Sequence, residues 1–294
     1  MTVSVSSAKA GAVAGQSDRP LALLTQFKSG TWLTRRIVEG LTGMSMVEPD
    51  YGHAVGLDPE DATHIFHCPG RYYSWHALPV PPVREKLRAM NARVVLQIRN
   101  VYDMAVSQYH HYADDIDREF QRGAGRAAFF GSVTRDFGLA VIVAGYNGEG
   151  FVLPGFGDYL RQTELMIDYA ETCPDCLLLS YEDVVRDRVA AIRRVARHLE
   201  IDIDDDQAAA MAQASSFSAM RRQGEAAGTT SHFRKGGLFR HGEELNQRHA
   251  ALMRLEIARY APNLPARAAA AGMAHVLEFH PASPAPFSSD GAVP

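Results

Sequence analysis

Along the middle of the chain, short apolar runs alternate with segments of helical periodicity, and this alternation limits the folds that the chain can adopt. The apolar runs read "LALLTQF" from residue 21, "THIFHC" from residue 63, "RVVLQIR" from residue 93 and "CLLLSYE" from residue 176. Apolar strands that are separated by helices are typical of a parallel sheet covered on both faces. The pattern therefore predicts a three-layer α/β/α fold with a central, mainly parallel sheet.

The helical segments and the composition of the two ends define the expected domain. Helices are predicted at residues 31–42, 82–91, 102–116, 156–172 and 187–199. We expect one folded domain over residues 19–262. Residues 1–18 and 263–294 are rich in small residues and proline and are predicted to be disordered tails. Residues 118–157 interrupt the alternation and are predicted to form a loop-rich excursion over the sheet edge.

Charge and cysteine content exclude several classes of protein. The 30 basic and 34 acidic residues give a net charge of -4, whereas general nucleic-acid binders usually carry a basic excess. The chain has no run of about 18 apolar residues, so we expect no membrane span. Residues 1–18 lack the apolar centre of a secretory signal, and three cysteines are too few for a disulfide framework. These features favour a soluble cytoplasmic protein.

The junction "FKSGTW" between the first apolar run and the first helix has the composition of an anion site. Gly30 lets the backbone approach an anion closely, Ser29 and Thr31 add hydroxyl donors, and Lys28 adds a positive charge at a helix N-terminus. A Walker A loop requires G-x-x-x-x-G ahead of its lysine, and this stretch has neither of these glycines. A loop of the ATP-hydrolysing or GTP-hydrolysing type is therefore not expected.

Two further stretches combine basic residues with hydroxyls or glycine. In "RNVYDMAVSQYHH", Arg99 ends a strand and Ser107 lies eight residues later on a helix. In "FRKGG", Arg234 and Lys235 precede Gly236 in a loop, an arrangement that suits a phosphate. Each stretch alone is compatible with an ordinary turn or a solvated charge. Three such sites in one α/β domain indicate a ligand with two separated anionic groups.

The three stretches, in this order, resemble the motifs of the sulfotransferases that use 3′-phosphoadenosine 5′-phosphosulfate (PAPS). The likeness covers about residues 20–250, and the family motifs are close to "YPKSGTTWL", "RNPKDVAVSYYH" and "RKGxxGDW". This chain departs from them at Trp32, where a second threonine is usual, at Val101, where proline is usual, and after Gly236, where Gly-Asp-Trp is absent. The resemblance implies a donor site formed by Lys28, Ser29, Gly30, Thr31, Trp32, Arg99, Ser107, Tyr181, Arg234, Lys235 and Gly236.

The resemblance also implies a catalytic base. Relatives have a "KTHLP" segment after the first helix, and "IFHCP" here aligns His67 with its histidine. The lysine of that segment is Ile65, so Lys28 is expected to neutralise more of the sulfuryl charge. Glu48 is the alternative base. His110 and His111 are interpreted as pocket wall, because the reaction requires no metal.

The implied activity is in-line transfer of a sulfuryl group from PAPS to a hydroxyl of a small acceptor, which leaves 3′-phosphoadenosine 5′-phosphate (PAP) as product. The apolar, aromatic character of residues 118–157 favours a lipophilic or aromatic acceptor, and a homodimer surface is the other interpretation of this segment. Two alternatives are a nucleotide kinase with a diverged phosphate loop and a noncatalytic module that binds PAPS or PAP.

Overall fold

A computed structural model describes residues 19–47, 69–76, 78–113, 124–148, 151–153, 155–226 and 238–281. The strands are β1 (Leu21–Thr25), β2 (Ser45–Val47), β3 (Arg71–Trp75), β4 (Arg93–Ile98), β5 (Tyr146–Gly148), β6 (Phe151–Leu153) and β7 (Cys176–Ser180). The α-helices are α1 (Thr31–Thr42), α2 (Pro81–Ala89), α3 (Val101–Ala113), α4 (Ala124–Ser132), α5 (Arg135–Ala144), α6 (Phe156–Thr172), α7 (Tyr181–Arg186), α8 (Arg188–Leu199), α9 (Asp205–Ala214), α10 (Phe217–Ala226), α11 (His241–Glu244), α12 (Gln247–Tyr260) and α13 (Leu264–Ala270). A 3-10 turn follows at Ala274–Leu277.

The central sheet has the strand order β2-β3-β1-β4-β7, and every neighbouring pair is parallel. The predicted three-layer fold is confirmed. In this register Thr25, the last residue of β1, lies opposite Gln97 near the end of β4. All carboxyl ends therefore meet at one edge of the sheet, where ligands of open α/β folds bind.

Successive side chains of the strands enter two separate cores. Leu23 of β1 and Val95 of β4 pack with α1 and α8 on one face of the sheet. Leu24 of β1 and Leu96 of β4 pack on the other face, with α2, α3, α6 and α12. Burial of each such side chain stabilises the fold by about 1.5–3 kcal/mol. The continuous apolar runs therefore reflect a sheet that is buried on both sides.

The segment predicted to be a loop-rich excursion contains regular structure. Its described part holds α4, α5 and a hairpin of β5 and β6, so the prediction is wrong for residues 124–148. Gly138, one of the glycines that suggested loops, has a packing role. A Cβ atom at Gly138 of α5 would lie 2.6 Å from the Tyr109 ring of α3, so this glycine lets two helices approach closely.

The predicted strand at residues 63–68 lies outside the described residues. The strand that pairs with β1 on that side is β3, at Arg71–Trp75. It is followed by His76, which the sequence analysis did not consider. None of the helices in the described ranges is long and apolar enough to cross a membrane.

The C-terminal segment is folded as far as residue 281, which corrects the predicted domain end at residue 262. Leu264, Ala268 and Val276 are fully buried in the core. Arg267 of α13 pairs with Glu171 of α6 at 2.6 Å. Small alanine side chains allow α13 to lie close to its neighbours, so a composition that suggested disorder is compatible with packing here.

We predict that Leu264→Ala lowers the free energy of unfolding by about 2–5 kcal/mol, because it leaves a cavity in the core. Leu255→Ala on α12 is the matched control, since Leu255 is 66% exposed, and it should change stability by less than about 0.5 kcal/mol. Urea denaturation of the two variants measures both effects. Equal stability of the two variants would mean that α13 does not belong to the core.

Candidate functional site

The loop between β1 and α1 has the backbone shape of an anion site. Lys28 and Gly30 have positive φ values of 66° and 91°, whereas Ser29 between them does not. Such alternation turns successive N–H groups toward one point and forms a concave binding site. Helix α1 begins at Thr31 without a side-chain cap, so no side chain neutralises the positive potential of its N-terminus.

Buried hydrogen bonds hold this loop in place. The Ser29 hydroxyl donates to the Gln26 carbonyl oxygen at 2.7 Å. The side-chain amide of Gln97 donates to the Ser29 carbonyl oxygen at 2.6 Å, and its oxygen accepts from the Thr34 hydroxyl. Ser29 is fully buried, so its hydroxyl stabilises the loop. Sequence reasoning did not identify Gln97, although a glutamine inside the apolar run "RVVLQIR" is the available signal.

Tyr181, which follows β7, and Arg99, which follows β4, contact the same loop. A Cβ atom at Gly30 would lie 2.4 Å from Cδ2 of Tyr181, so the ring rests directly on the glycine. The Arg99 guanidinium stacks on that ring, with Cζ 4.6 Å from the centroid, and donates to the Lys28 carbonyl oxygen at 3.1 Å. The structure thus places four predicted donor-site residues, Lys28, Gly30, Arg99 and Tyr181, in one contact group.

Arg99 retains donor capacity at this site. Its side chain is 15% exposed, and Nη2 lies 3.6 Å from Oδ2 of Asp103. Its Nε is buried and has no hydrogen-bond partner among the described residues. Five N–H donors in a planar fork suit the oxygens of a phosphate group.

A buried carboxyl group lies beneath Arg99. Glu182 is fully buried, and its Oε1 accepts from the Asn100 N–H at 3.0 Å. Burial raises the pKa of Glu182 to about 7, although the charge of Arg99 and the Asn100 hydrogen bond oppose the rise. Near neutral pH the group is therefore partly protonated. This limits the negative charge beside a site that is built for anions.

His76 follows β3 at the same edge. Its Nδ1 lies 3.1 Å from the Thr25 carbonyl oxygen and 3.1 Å from the Thr25 hydroxyl, and that hydroxyl lies 2.8 Å from the Thr31 hydroxyl. Because a carbonyl only accepts, Nδ1 carries the proton in this hydrogen bond, and the neutral ring has its lone pair on Nε2. The contacts with Thr25 therefore orient the His76 ring at this edge of the sheet. The signal in the sequence is "WHALP", in which the histidine lies three residues before the proline, one more than in "KTHLP".

The remaining predicted site residues are distributed as follows. Trp32 lies in the first turn of α1 and is 45% exposed, with Arg35 Cζ 5.5 Å from its ring centroid. Ser107 is partly exposed on α3. The residues outside the described part of the chain are Glu48, His67, Arg234, Lys235 and Gly236.

The two adjacent histidines of α3 have different environments. His110 Nε2 lies 2.5 Å from Glu244, which Arg135 also contacts at 2.5 Å. The His111 ring meets the edge of the Phe27 ring, 5.1 Å between centroids. Within the described ranges, no group of His, Cys, Asp or Glu side chains is arranged to hold a metal ion.

We predict that Gly30→Ala destabilises the fold by more than Gly43→Ala does. Both glycines have positive φ, but a Cβ atom at Gly43 meets nothing within 4 Å, so the control isolates backbone strain of about 1 kcal/mol. The clash with Tyr181 should add about 1–3 kcal/mol at Gly30. Urea denaturation measures the difference, and equal losses would contradict the contact between Tyr181 and the loop.

Comparison with known proteins identifies the family. Residues 71–254, more than half of the chain, match the family described as "Sulfotransferase domain". No curated protein matches the chain.

Solved structures share the fold at low sequence identity. Mouse sulfotransferase SULT7A1 complexed with PAP has a TM-score of 0.64 at 18% identity, over 88% of this chain and 89% of that chain. Retinol dehydratase in complex with androsterone and inactive cofactor PAP has a TM-score of 0.62 at 15% identity, over 84% and 82%. Retinol dehydratase in a complex with retinol and PAP has a TM-score of 0.58 at 14% identity, over 84% and 83%. Together with the family match, the parallel sheet and the loop at its edge, these findings lead to one conclusion: the chain belongs to the sulfotransferase domain family.

Proposed function

We propose that the protein transfers a sulfuryl group from PAPS to a hydroxyl group of a small acceptor. The observation that carries the proposal is the contact group of Lys28, Gly30, Arg99 and Tyr181 at the carboxyl edge of the sheet. It combines a concave backbone, two cations and an aromatic ring, which are the elements needed for an adenosine with two anionic groups. The similar solved structures are described as complexes with PAP, which supports the same donor here.

The residues fit PAPS in chemistry. The amides of the Lys28–Thr31 loop and the Lys28 ammonium suit the 5′-phosphosulfate, because an uncapped helix start favours an anion. The partly unsatisfied guanidinium of Arg99 suits the 3′-phosphate. Tyr181, with Trp32 on the exposed first turn of α1, supplies aromatic surface for adenine. Ser107 and the segment Arg234–Gly236 stay predictions for the 3′-phosphate.

In the proposed reaction, the acceptor oxygen attacks sulfur as the bond from sulfur to the bridging oxygen of the 5′-phosphate breaks. The acceptor's proton passes to a base, and PAP leaves with the additional negative charge. Lys28 and the loop amides stabilise the charge that develops on the bridging oxygen. Like phosphoryl transfer, the reaction asks the protein mainly for positioning and electrostatic stabilisation.

We propose His76 as the base, with His67 and Glu48 as the alternatives. Its hydrogen bonds to Thr25 fix the ring beside the donor loop, and Thr25 also contacts Thr31 at the start of α1. The base is therefore linked to the loop that holds the reacting group. A histidine has an unperturbed pKa of about 6.5, which suits proton acceptance near neutral pH.

A lipophilic or aromatic acceptor fits the surroundings of the base. The Phe27 ring lies between His76 and His111, at centroid distances of 5.4 and 5.1 Å. From His111 an aromatic series continues through Tyr112 to Phe130 of α4. Phe129, Tyr146 and Phe151 extend it into the hairpin of β5 and β6. We propose that these helices and the hairpin form the acceptor side of the site.

The proposal is tested by incubating the protein with labelled PAPS and a panel of phenols, sterols, long-chain alcohols and amines. We expect PAP release together with a product whose mass is increased by one sulfuryl group. PAP binding without transfer to any acceptor would favour a noncatalytic module. Binding of ATP with the same affinity as PAP would contradict the assignment of a 3′-phosphate site.

The identity of the base is tested in the same assay with His76→Ala, His67→Ala and Glu48→Ala. We expect His76→Ala to reduce turnover by roughly 10²–10⁴ and to leave PAP affinity unchanged, because a general base acts on the acceptor's proton. The other two variants should retain most of the activity. An active His76→Ala together with an inactive His67→Ala or Glu48→Ala would move the role to that residue.

A further inference from the structure

The Asp103 carboxylate on α3 accepts hydrogen bonds from residues that are distant in the sequence. Asp103 is 2% exposed. Its Oδ1 accepts from the His241 N–H and lies 2.9 Å from His241 Nδ1, and its Oδ2 accepts from the Phe239 N–H at 2.9 Å. The same Oδ2 lies 3.6 Å from Nη2 of Arg99. Three donors from residues 239–241 thus fix the group that faces the guanidinium.

The hydrogen-bond network around Asp103 continues from His241 to the C-terminal strap, which we define as residues 274–281. His241 Nε2 accepts from the His280 N–H at 2.8 Å, so its Nδ1 carries the proton and donates to Asp103. Asn100, next to Arg99, donates to the carbonyl oxygens of His275 and Glu278 at 2.7 and 2.9 Å. The start of α3 is therefore held against the strap directly at Asn100 and, through His241, at Asp103.

Asp103 is charged in this environment. Burial acts to raise its pKa, but the hydrogen bond from His241 and the charge of Arg99 together hold the pKa of Asp103 below its usual value. An anionic side chain beside a phosphate site opposes phosphate binding by Coulomb repulsion. A contribution to binding must then come from geometry, because the charge alone acts in the opposite direction.

We propose that Asp103 is a positioning residue that orients the Arg99 guanidinium toward the 3′-phosphate of the donor. This inference rests on the proposed function, in which Arg99 binds that phosphate. Among the described residues, Arg99 also stacks on the Tyr181 ring, donates to the Lys28 carbonyl oxygen and interacts electrostatically with the buried Glu182 carboxyl. The Tyr181 ring and the Lys28 carbonyl oxygen hold the guanidinium toward the Lys28–Thr31 loop. Asp103 is the restraint on the α3 side and sets the direction in which the remaining N–H groups point.

The test compares the affinities of Asp103→Asn and the wild type for PAP and for adenosine 5′-phosphate (AMP), which lacks the 3′-phosphate. The amide replaces one acceptor oxygen with a donor, which opposes an N–H of Phe239 or His241 or the Arg99 guanidinium. We expect the ratio of PAP affinity to AMP affinity to fall about tenfold to a hundredfold, with AMP affinity nearly unchanged. Isothermal titration calorimetry measures both ligands.

A rise in the ratio of PAP affinity to AMP affinity in Asp103→Asn overturns the inference. If Asp103 acts only as a charge, its removal raises PAP affinity. An increased or unchanged ratio therefore contradicts positioning, and so does an equal loss for PAP and AMP, which would indicate a general structural role. Asp168→Asn is the matched control. Asp168 lies on α6 and also pairs with an arginine, Arg84, at 2.6 Å. The ratio of PAP affinity to AMP affinity in this variant should equal that of the wild type.

A second variant keeps the inference testable if Asp103→Asn does not fold. His241→Phe removes the Nδ1 donor and leaves the main-chain donors to Asp103, and we expect a smaller fall of the ratio, about threefold to tenfold. An unchanged ratio in a folded His241→Phe overturns the inference. A wild type that does not distinguish PAP from AMP would overturn the proposed function itself.

Discussion

The contact between the Tyr181 ring and Gly30 is the constraint on which the site depends. It joins the loop after β1 to the end of β7, and Arg99 from the end of β4 stacks on the same ring. A side chain at residue 30 would occupy the space of the ring, and the φ of 91° already favours glycine. The ring, the glycine and the guanidinium therefore fix the spacing of three strand ends, and with it the spacing of the groups that we propose to bind the donor.

The parallel sheet supplies the frame for this contact. The central strands β1 and β4 are buried along their whole length, so they cannot shift register without moving apolar side chains out of a core. Polar side chains at the strand ends then take fixed roles. Gln97 holds the Ser29 carbonyl oxygen, and Thr25 holds the His76 ring. These buried side chains hold the loop and the histidine in position and thereby define the geometry of the site.

Local patterns predicted β1, β4, β7 and the loop at Lys28–Thr31, because each depends on neighbouring residues alone. The C-terminal strap and the Asp103–His241 pair were not predictable, since they join residues more than a hundred positions apart. His76, which we propose as the base, matched no motif, because it lies three residues before Pro79 and not two as in "KTHLP". Only strand pairing places the end of β3 beside β1. Residues 124–148 were misjudged because glycine signals both turns and close helix packing.

The central claim is that one nucleotide spans the loop after β1 and the end of β4. A crystal structure of the protein with PAP tests it most directly. We predict the 5′-phosphate within hydrogen-bond distance of the Gly30 and Thr31 N–H groups, and the 3′-phosphate on the Arg99 guanidinium with adenine near Tyr181. A PAP molecule bound with its 3′-phosphate away from Arg99, or at another edge of the sheet, would contradict it.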